Sequence, residues 1–127
     1  MNSLEILKKS QTFAVIGVTT NHEKFGFRIY DCLKSLNKTV YGVTPIYKEV
    51  DGDLMYASLS DIPDQIEVAV FVVSKKYSLD YMKEAKALKI PYIWMQPGTY
   101  DEDYLKTLAD MDLNVITDCV LVQSKNL

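Results

Sequence analysis

A short apolar run that ends at a glycine, Phe13–Gly17, constrains this chain most. A polar loop with Lys24 follows, and a helical pattern begins at Gly26. In a parallel sheet, the first strand is joined in this way to a helix whose N-terminal N–H groups and dipole favour an anion. Thr19 and His22 replace the second and third glycines of the dinucleotide fingerprint G-x-G-x-x-G. The loop therefore predicts a nucleotide-like ligand, but not an ordinary NAD site.

Strand-like and helix-like patterns alternate along the rest of the chain. Val68–Val73 is the clearest strand and is apolar on both faces, as a central parallel strand is when helices cover both sides. Strands that alternate with helices imply right-handed βαβ crossovers, so we predict an α/β fold: a Rossmann-like three-layer sandwich with a mainly parallel sheet. The other predicted elements are strands Thr39–Val43, Met55–Tyr56 (at an edge), Tyr92–Met95 and Val115–Thr117, and helices Met1–Ser10, Gly26–Leu36 (with Cys32 inside it), Ser78–Lys89 (capped by Ser78, with Leu79, Met82, Ala85 and Leu88 inward) and one capped by Asp101.

Size, charge and cysteine usage limit the possible classes of protein. The 127 residues, 48% of them apolar, suit a single globular domain over residues 1–127. A formal charge of −3 argues against a general nucleic-acid binder, and no apolar stretch approaches the roughly 20 residues of a membrane span. Cys32 and Cys119 form no C-x-x-C pair and His22 is the only histidine, so we expect no zinc site. With no export signal recognised, we expect a cytoplasmic protein.

Four predicted loops lie where an open α/β sheet binds ligands, beyond the carboxyl ends of its strands. They are Gly17–Gly26, Thr44–Lys48, Val73–Tyr77 and Gln96–Tyr100. The first offers the hydroxyls of Thr19 and Thr20 together with backbone N–H groups and Lys24, which suit a pyrophosphate. Alternatively, it is a tight strand-to-helix turn with a solvated lysine.

The loop after the second strand separates ligand classes. NAD-binding Rossmann domains usually carry an Asp or Glu at the end of this strand to accept from the ribose hydroxyls, and this chain has Thr44. A carboxylate there would also repel a 3′-phosphate, so its absence is compatible with a ligand that carries one. Pro45 either forms an apolar wall for an adenine or simply ends the strand.

The remaining two loops combine polar groups with a turn. Ser74-Lys75-Lys76 places a hydroxyl and two cations near the cleft, although a solvated charge pair is an equal alternative. In Gln96-Pro97-Gly98, the amide can donate and accept and the glycine allows close backbone approach, although a Pro-Gly turn needs no ligand.

We identify no catalytic constellation in the sequence. His22 has no recognisable carboxylate partner and no nucleophile in a G-x-S-x-G setting. Cys119 follows the last strand beside Asp118, where it either borders the cleft or is a structural thiol.

Five blocks of the chain carry a further signal when they are read together: Phe13–Thr19, Lys24–Phe27, Val43–Pro45, Tyr56–Pro63 and Ile93–Gly98. In their order and spacing they resemble the small CoA-binding domain proteins of bacteria, stand-alone relatives of the CoA-binding domain of the succinyl-CoA synthetase α subunit. Asp118-Cys119-Val120 is similar to the closing segment of that family. The resemblance spans about residues 4–123 and implies a Rossmann-like fold that binds coenzyme A, without the catalytic domain and active-site histidine of the synthetases.

The resemblance also implies roles for particular residues. The Gly17–Thr19 turn and Lys24 would hold the CoA pyrophosphate, Thr44 and Pro45 would lie by the adenosine, and the Gln96–Gly98 segment would face the pantetheine. The full set of expected cofactor-binding residues is Gly17, Val18, Thr19, Thr20, Lys24, Phe25, Gly26, Thr44, Pro45, Val73, Ser74, Lys75, Gln96, Pro97, Gly98 and Cys119.

The sequence therefore favours a protein that binds CoA or an acyl-CoA, with no catalytic residues located, no metal, no nucleic acid and no membrane. Two alternatives stay open at this point. One is a small enzyme that depends on NAD(P) or a CoA thioester and uses Cys119, and the other is a partner-binding module that senses CoA or redox state through Cys119.

Overall fold

The computed structural model describes residues 2–127 and contains one seven-stranded sheet flanked by five helices. Met1, where the predicted first helix begins, lies outside the described residues. The strands are β1 (Thr12–Ile16), β2 (Thr39–Val43), β3 (Glu49–Val50), β4 (Asp53–Tyr56), β5 (Val68–Phe71), β6 (Tyr92–Met95) and β7 (Val115–Thr117). The helices are α1 (Ser3–Lys9), α2 (Phe25–Ser35), α3 (Lys75–Ala87), α4 (Glu102–Asp110) and α5 (Val120–Ser124), and a 3₁₀ turn covers Leu59–Asp61.

The sheet has the order β3-β4-β2-β1-β5-β6-β7, and every pairing is parallel except that of β3 with β4. The chain places β2 on one side of β1 and later returns to place β5 on the other side. The loops that follow β1 and β5 therefore diverge, which opens a crevice at the carboxyl edge of the sheet. The predicted Rossmann-like α/β fold is confirmed.

Alternation along the central strands divides the core between two faces of the sheet. On β1, Phe13 and Val15 pack with α1, α2 and α5, whereas Ala14 and Ile16 pack with α3 and α4. These side chains are fully buried. Burying a large aliphatic or aromatic side chain contributes about 1.5–3 kcal/mol, so the two-faced strands are what hold the three layers together.

Several predicted boundaries are confirmed and others are wrong. Thr39–Val43, Tyr92–Met95 and Val115–Thr117 are strands with the predicted bounds. The Met55–Tyr56 segment is part of a strand but not an edge, because β3 pairs outside β4. Asn37 follows α2 with a positive φ of 62°, a conformation that asparagine tolerates and that ends a helix.

The sequence pattern starts α3 about one turn too late. Ser74, not Ser78, precedes the first helical residue, and Ser78 is buried inside the helix, where its hydroxyl contacts that of Tyr104. Two lysines are unfavourable at a helix N-terminus, but Lys75 pairs with Asp101 of the next loop. Leu79 and Leu88, predicted to point inward, are exposed, whereas Met82 and Ala85 are buried as predicted. A spacing of three residues falls about 60° short of a full helical turn at each step, so these four side chains cannot all share one face.

Candidate functional site

Two neighbouring cavities open at the carboxyl edge of the sheet. The larger has a volume of about 880 Å³ and lies between the loops that follow β1, β2 and β5. The smaller has a volume of about 230 Å³ and lies beside the loop that follows β6. Phe25 and Val72 line both cavities, so the two lie side by side at the place that the sheet topology predicts.

The loop between β1 and α2 is held by two glycines in contact. Gly17 has a φ of +109°, and a Cβ there would lie 2.9 Å from Val73 Cγ1. A Cβ on Gly26 would fall well inside 3.0 Å of the Gly17 carbonyl oxygen, which real Cβ atoms essentially never do. The first turn of α2 therefore packs directly on the glycine turn, and this brings the N-terminus of the helix to the larger cavity.

Hydroxyl groups and one lysine surround this loop. The Thr20 and Thr19 hydroxyls, followed by the charge of Lys24, hold the pKa of Tyr47 below its usual range. Tyr47 comes from the loop after β2 and lines the larger cavity together with Thr19 and Lys24 of the loop after β1. The loop conformation itself is held by Asn21, whose N–H donates to Thr19 Oγ1 at 3.2 Å. This arrangement offers an anion several donors and one positive charge.

The opposite wall of the larger cavity is short of hydrogen-bond donors. The N–H of Thr44 donates to the Tyr56 carbonyl at 2.9 Å, and the N–H of Ile46 donates to Thr44 Oγ1 at 3.2 Å. Pro45, between them, has no N–H. Aromatic rings from α3, Tyr77 and Tyr81, complete the wall. This side of the cavity suits a flat, apolar group.

The smaller cavity is built on a tight turn. Thr99 N–H donates to the Gln96 carbonyl at 3.2 Å, and Gly98 has a φ of +87°, so Pro97 and Gly98 occupy the central positions of a type II turn. The Gln96 side chain is buried, accepts from Val120 N–H at 2.8 Å and lies with its Nε2 3.5 Å from Cys119 Sγ. The Cys119 thiol therefore lines the cavity and is half-buried.

Most residues predicted for the site line one of these cavities, while Thr20 and Lys75 line neither. Thr20 still lies beside Tyr47, whereas Lys75 turns away to Asp101. The larger cavity contains Gly17, Val18, Thr19, Lys24, Phe25, Gly26, Thr44, Pro45 and Val73, and the smaller contains Phe25, Ser74, Gln96, Pro97, Gly98 and Cys119. Sequence reasoning missed Glu23, Ile46, Tyr47, Val72, Tyr77, Tyr81 and Thr99, although several of them fall within the predicted loops.

His22 has a carboxylate partner, contrary to the sequence analysis. Its Nε2 lies 2.8 Å from an oxygen of Asp51, and its ring stacks on Phe27 with 3.9 Å between the ring centroids. Asp51 sits in the turn between β3 and β4, too far along the chain for any local motif to pair the two. Both side chains are largely exposed, so the pair joins two loops at the surface.

Two further features concern metals and membranes. Within residues 2–127, no group of three or more His, Cys, Asp or Glu side chains is arranged to hold a metal ion. The helices of the same part of the chain all lack the length and apolar character needed to cross a bilayer.

The parallel sheet, the glycine turn packed on a helix N-terminus and the cleft at the carboxyl edge define the class of Rossmann-like α/β domains. Within that class the chain belongs to the CoA binding domain family, which matches residues 11–125. The resemblance found in the sequence is thereby confirmed for the family, although not for a bacterial origin.

Curated relatives are much longer proteins. The chain is 34% identical over 70 residues to an ADP-forming acetate–CoA ligase of Methanocaldococcus jannaschii; the aligned region covers 55% of this chain and 10% of that protein. It is 36% identical over 73 residues to the corresponding ligase I of Archaeoglobus fulgidus; here the aligned region covers 58% of this chain and 11% of that protein. The chain thus spans about a tenth of these relatives.

Solved structures of similar size share the whole fold. A hypothetical protein from Pyrococcus horikoshii has a TM-score of 0.87 and 29% identity, with 97% of this chain and 87% of that chain covered. A conserved hypothetical protein from Pyrococcus furiosus has a TM-score of 0.82 and 31% identity, with 89% of this chain and 98% of that chain covered.

Proposed function

We propose that this protein binds coenzyme A or an acyl-CoA along the two adjacent cavities. The observation that carries the proposal is their arrangement: a wide cavity beside a glycine turn and a helix N-terminus lies next to a narrower one lined by the Cys119 thiol, and Phe25 lines both. Coenzyme A has the matching sequence of parts, with a flat base and a pyrophosphate at one end and a thin arm with a thiol at the other. Family membership supports the same ligand.

Each part of the ligand has a matching surface. The pyrophosphate would lie on the Gly17 turn, where the N-terminus of α2 and the ammonium group of Lys24 favour negative charge. The adenine would lie against Pro45 and the aromatic rings of α3. The pantetheine arm would pass Phe25 and continue along the Gln96–Thr99 turn, so that its thiol or thioester comes near Cys119.

The wall that follows β2 favours CoA over NAD. An NAD site normally places a carboxylate there for the ribose hydroxyls, and this chain has Thr44, whose hydroxyl oxygen already accepts from Ile46. The smaller cavity, with a volume of about 230 Å³, suits a thin chain such as pantetheine better than the second nucleotide of NAD.

We propose binding rather than acyl transfer as the role of this chain. Within residues 2–127, the one histidine is paired with Asp51 at the surface and does not line either cavity. Cys119 contacts the amide of Gln96, which is not a base. A thiol at the end of the cleft nevertheless favours redox sensing as a second candidate function. The single-domain organisation and the cytoplasmic location stay predictions.

Calorimetric titration tests the ligand class. We expect CoA to bind at least tenfold more tightly than NAD, a difference of about 1.4 kcal/mol. Equal affinities, or a preference for NAD, would contradict the proposal.

The variant Lys24→Ala tests the position of the pyrophosphate. Loss of a charge-assisted hydrogen bond should weaken CoA binding by about 1–3 kcal/mol, and the loss should shrink at high salt. Lys48→Ala is the matched control, because Lys48 is an exposed lysine in the loop after β2 that lines neither cavity. If Lys24→Ala binds CoA as tightly as the wild type does, Lys24 has no role in the site.

A further inference from the structure

The charges that line the larger cavity are few for a ligand that carries several phosphate charges. Within residues 2–127, Lys24 is the one basic residue among its lining side chains, and Glu23 is the one acidic residue. Lys24 belongs to the loop that would hold the pyrophosphate. Its charge is therefore already committed, and a further phosphate on the ribose would need a partner elsewhere.

The wall beside the ribose offers no such partner. As described above, the backbone N–H groups of Thr44 and Ile46 are both used within the protein and Pro45 has none. The Tyr81 hydroxyl donates away from the wall to the Ala57 carbonyl at 3.0 Å. A phosphate placed against Thr44, Pro45 and Ile46 would meet no free backbone N–H of these three residues, and this wall contributes no cation to the lining.

The rim of this wall is apolar. The side chain of Ile46 is 76% exposed and that of Tyr77 is 62% exposed, and both line the cavity. Two lysines lie beside the wall without lining it: Lys48 is exposed after Tyr47, and Lys76 places its ammonium 5.4 Å from the centroid of the Tyr77 ring. An apolar rim favours contact with a base and leaves a dianion in water.

Resting on the proposed function, we propose that this site does not recognise the 3′-phosphate of coenzyme A, and that Ile46 is the residue that determines this specificity. The protein then takes CoA and dephospho-CoA alike, because the adenine and the pyrophosphate make the same contacts in both. The ribose phosphate remains exposed to solvent at the Ile46 rim.

Titration of the two ligands at low ionic strength tests the proposal. We expect the wild-type affinities for CoA and dephospho-CoA to agree within threefold. A preference for CoA of tenfold or more would overturn the inference while leaving the proposed function intact. Binding of neither ligand would remove the proposed function itself, and the inference with it.

Substitutions at the rim make the test independent of the wild-type ratio. Ile46→Lys should raise the preference for CoA over dephospho-CoA at least fivefold at low salt, and the gain should fall in concentrated salt because the new ion pair is exposed. Ile46→Met, which adds no charge, should leave the ratio unchanged. Leu54→Lys is the control for charge alone, since Leu54 is 65% exposed on β4 and does not line the cavity.

Three results with these variants would overturn the inference. The first is an equal shift of the ratio by Ile46→Lys and Leu54→Lys, because the rim would then have no special position. The others are a selective loss of CoA affinity, with dephospho-CoA unaffected, in either Lys48→Ala or Lys76→Ala. Either loss would show that a lysine beside the wall already reads the phosphate.

Discussion

The contact between Gly26 and the Gly17 turn gives the sharpest prediction, for the variant Gly26→Ala. The added Cβ would lie 3.0 Å from the Gly17 carbonyl carbon, 3.5 Å from Val18 Cα and far inside contact distance of the Gly17 oxygen. All three neighbours are backbone atoms, so no side chain can rotate away. Overpacking of this kind costs about 1–3 kcal/mol, and we expect about 3 kcal/mol because α2 or the turn itself must shift.

Urea denaturation at pH 7 measures this loss, and Gly52→Ala is the control. Gly52 has a φ of +85°, but a Cβ added there would have no atom within 4 Å, so its substitution costs only backbone strain, about 1 kcal/mol. Because the Gly17 turn would hold the pyrophosphate, we also expect Gly26→Ala to weaken CoA binding at least tenfold and Gly52→Ala to leave it within twofold. If Gly26→Ala costs no more stability than Gly52→Ala, the packing argument is refuted.

Two further predictions concern the Cys119 thiol and the Asp53 carboxylate of β4. Incubation with CoA disulfide should form a mixed disulfide on Cys119 and not on Cys32, because Cys119 lines the smaller cavity and thiolate exchange needs access to the bound disulfide. Mass spectrometry after digestion would detect the mixed disulfide. If neither cysteine is modified, Cys119 is a structural residue. Lys34 and then Tyr30 hydrogen-bond to Asp53 and hold its pKa below the usual range. Because the carboxyl pKa is lower in the folded protein than in the unfolded chain, the ionised carboxylate stabilises the fold at any pH above the unfolded pKa, which is near 4. This stabilisation is lost as the pH falls through the folded pKa. Tyr30→Phe should therefore lower the free energy of unfolding by about 1 kcal/mol at pH 7, a small value because Asp53 is partly exposed. This loss of stability should shrink below pH 4. A loss that does not change with pH would contradict this role of the carboxylate.

The framework of the fold was predictable because its determinants are local. The two-faced apolar run Val68–Val73 and the glycine after β1 depend on neighbours in the sequence; the strand is confirmed, although it ends at Phe71. The start of α3 could not be predicted in this way, because Ser74 and Ser78 are equally good helix caps in the sequence. In the fold Ser78 is buried within the helix and its hydroxyl contacts that of Tyr104, which lies 26 residues further along the chain.

The cleft was predictable in outline and in much of its lining, but its aromatic residues were not. Its four loops follow from the strand order, which the βαβ alternation implies. Tyr47, Tyr77 and Tyr81 were missed because an aromatic residue on a loop or on the first turns of a helix has no periodic pattern that shows which way it turns. The pair of His22 with Asp51 was missed for a related reason, since it joins two turns that only the folded sheet brings together.

Phe25, which is 54% exposed at the junction of the two cavities, has a consequence for how ligands compete. A nucleotide fragment and a pantetheine fragment would each occupy one cavity, and neither would exclude the other. When the two are joined in one molecule, binding of the first end raises the effective concentration of the second, and affinity exceeds that of either piece without any new contact. Coenzyme A would then be distinguished from the abundant adenine nucleotides less by its base than by the length of the chain that reaches past this ring.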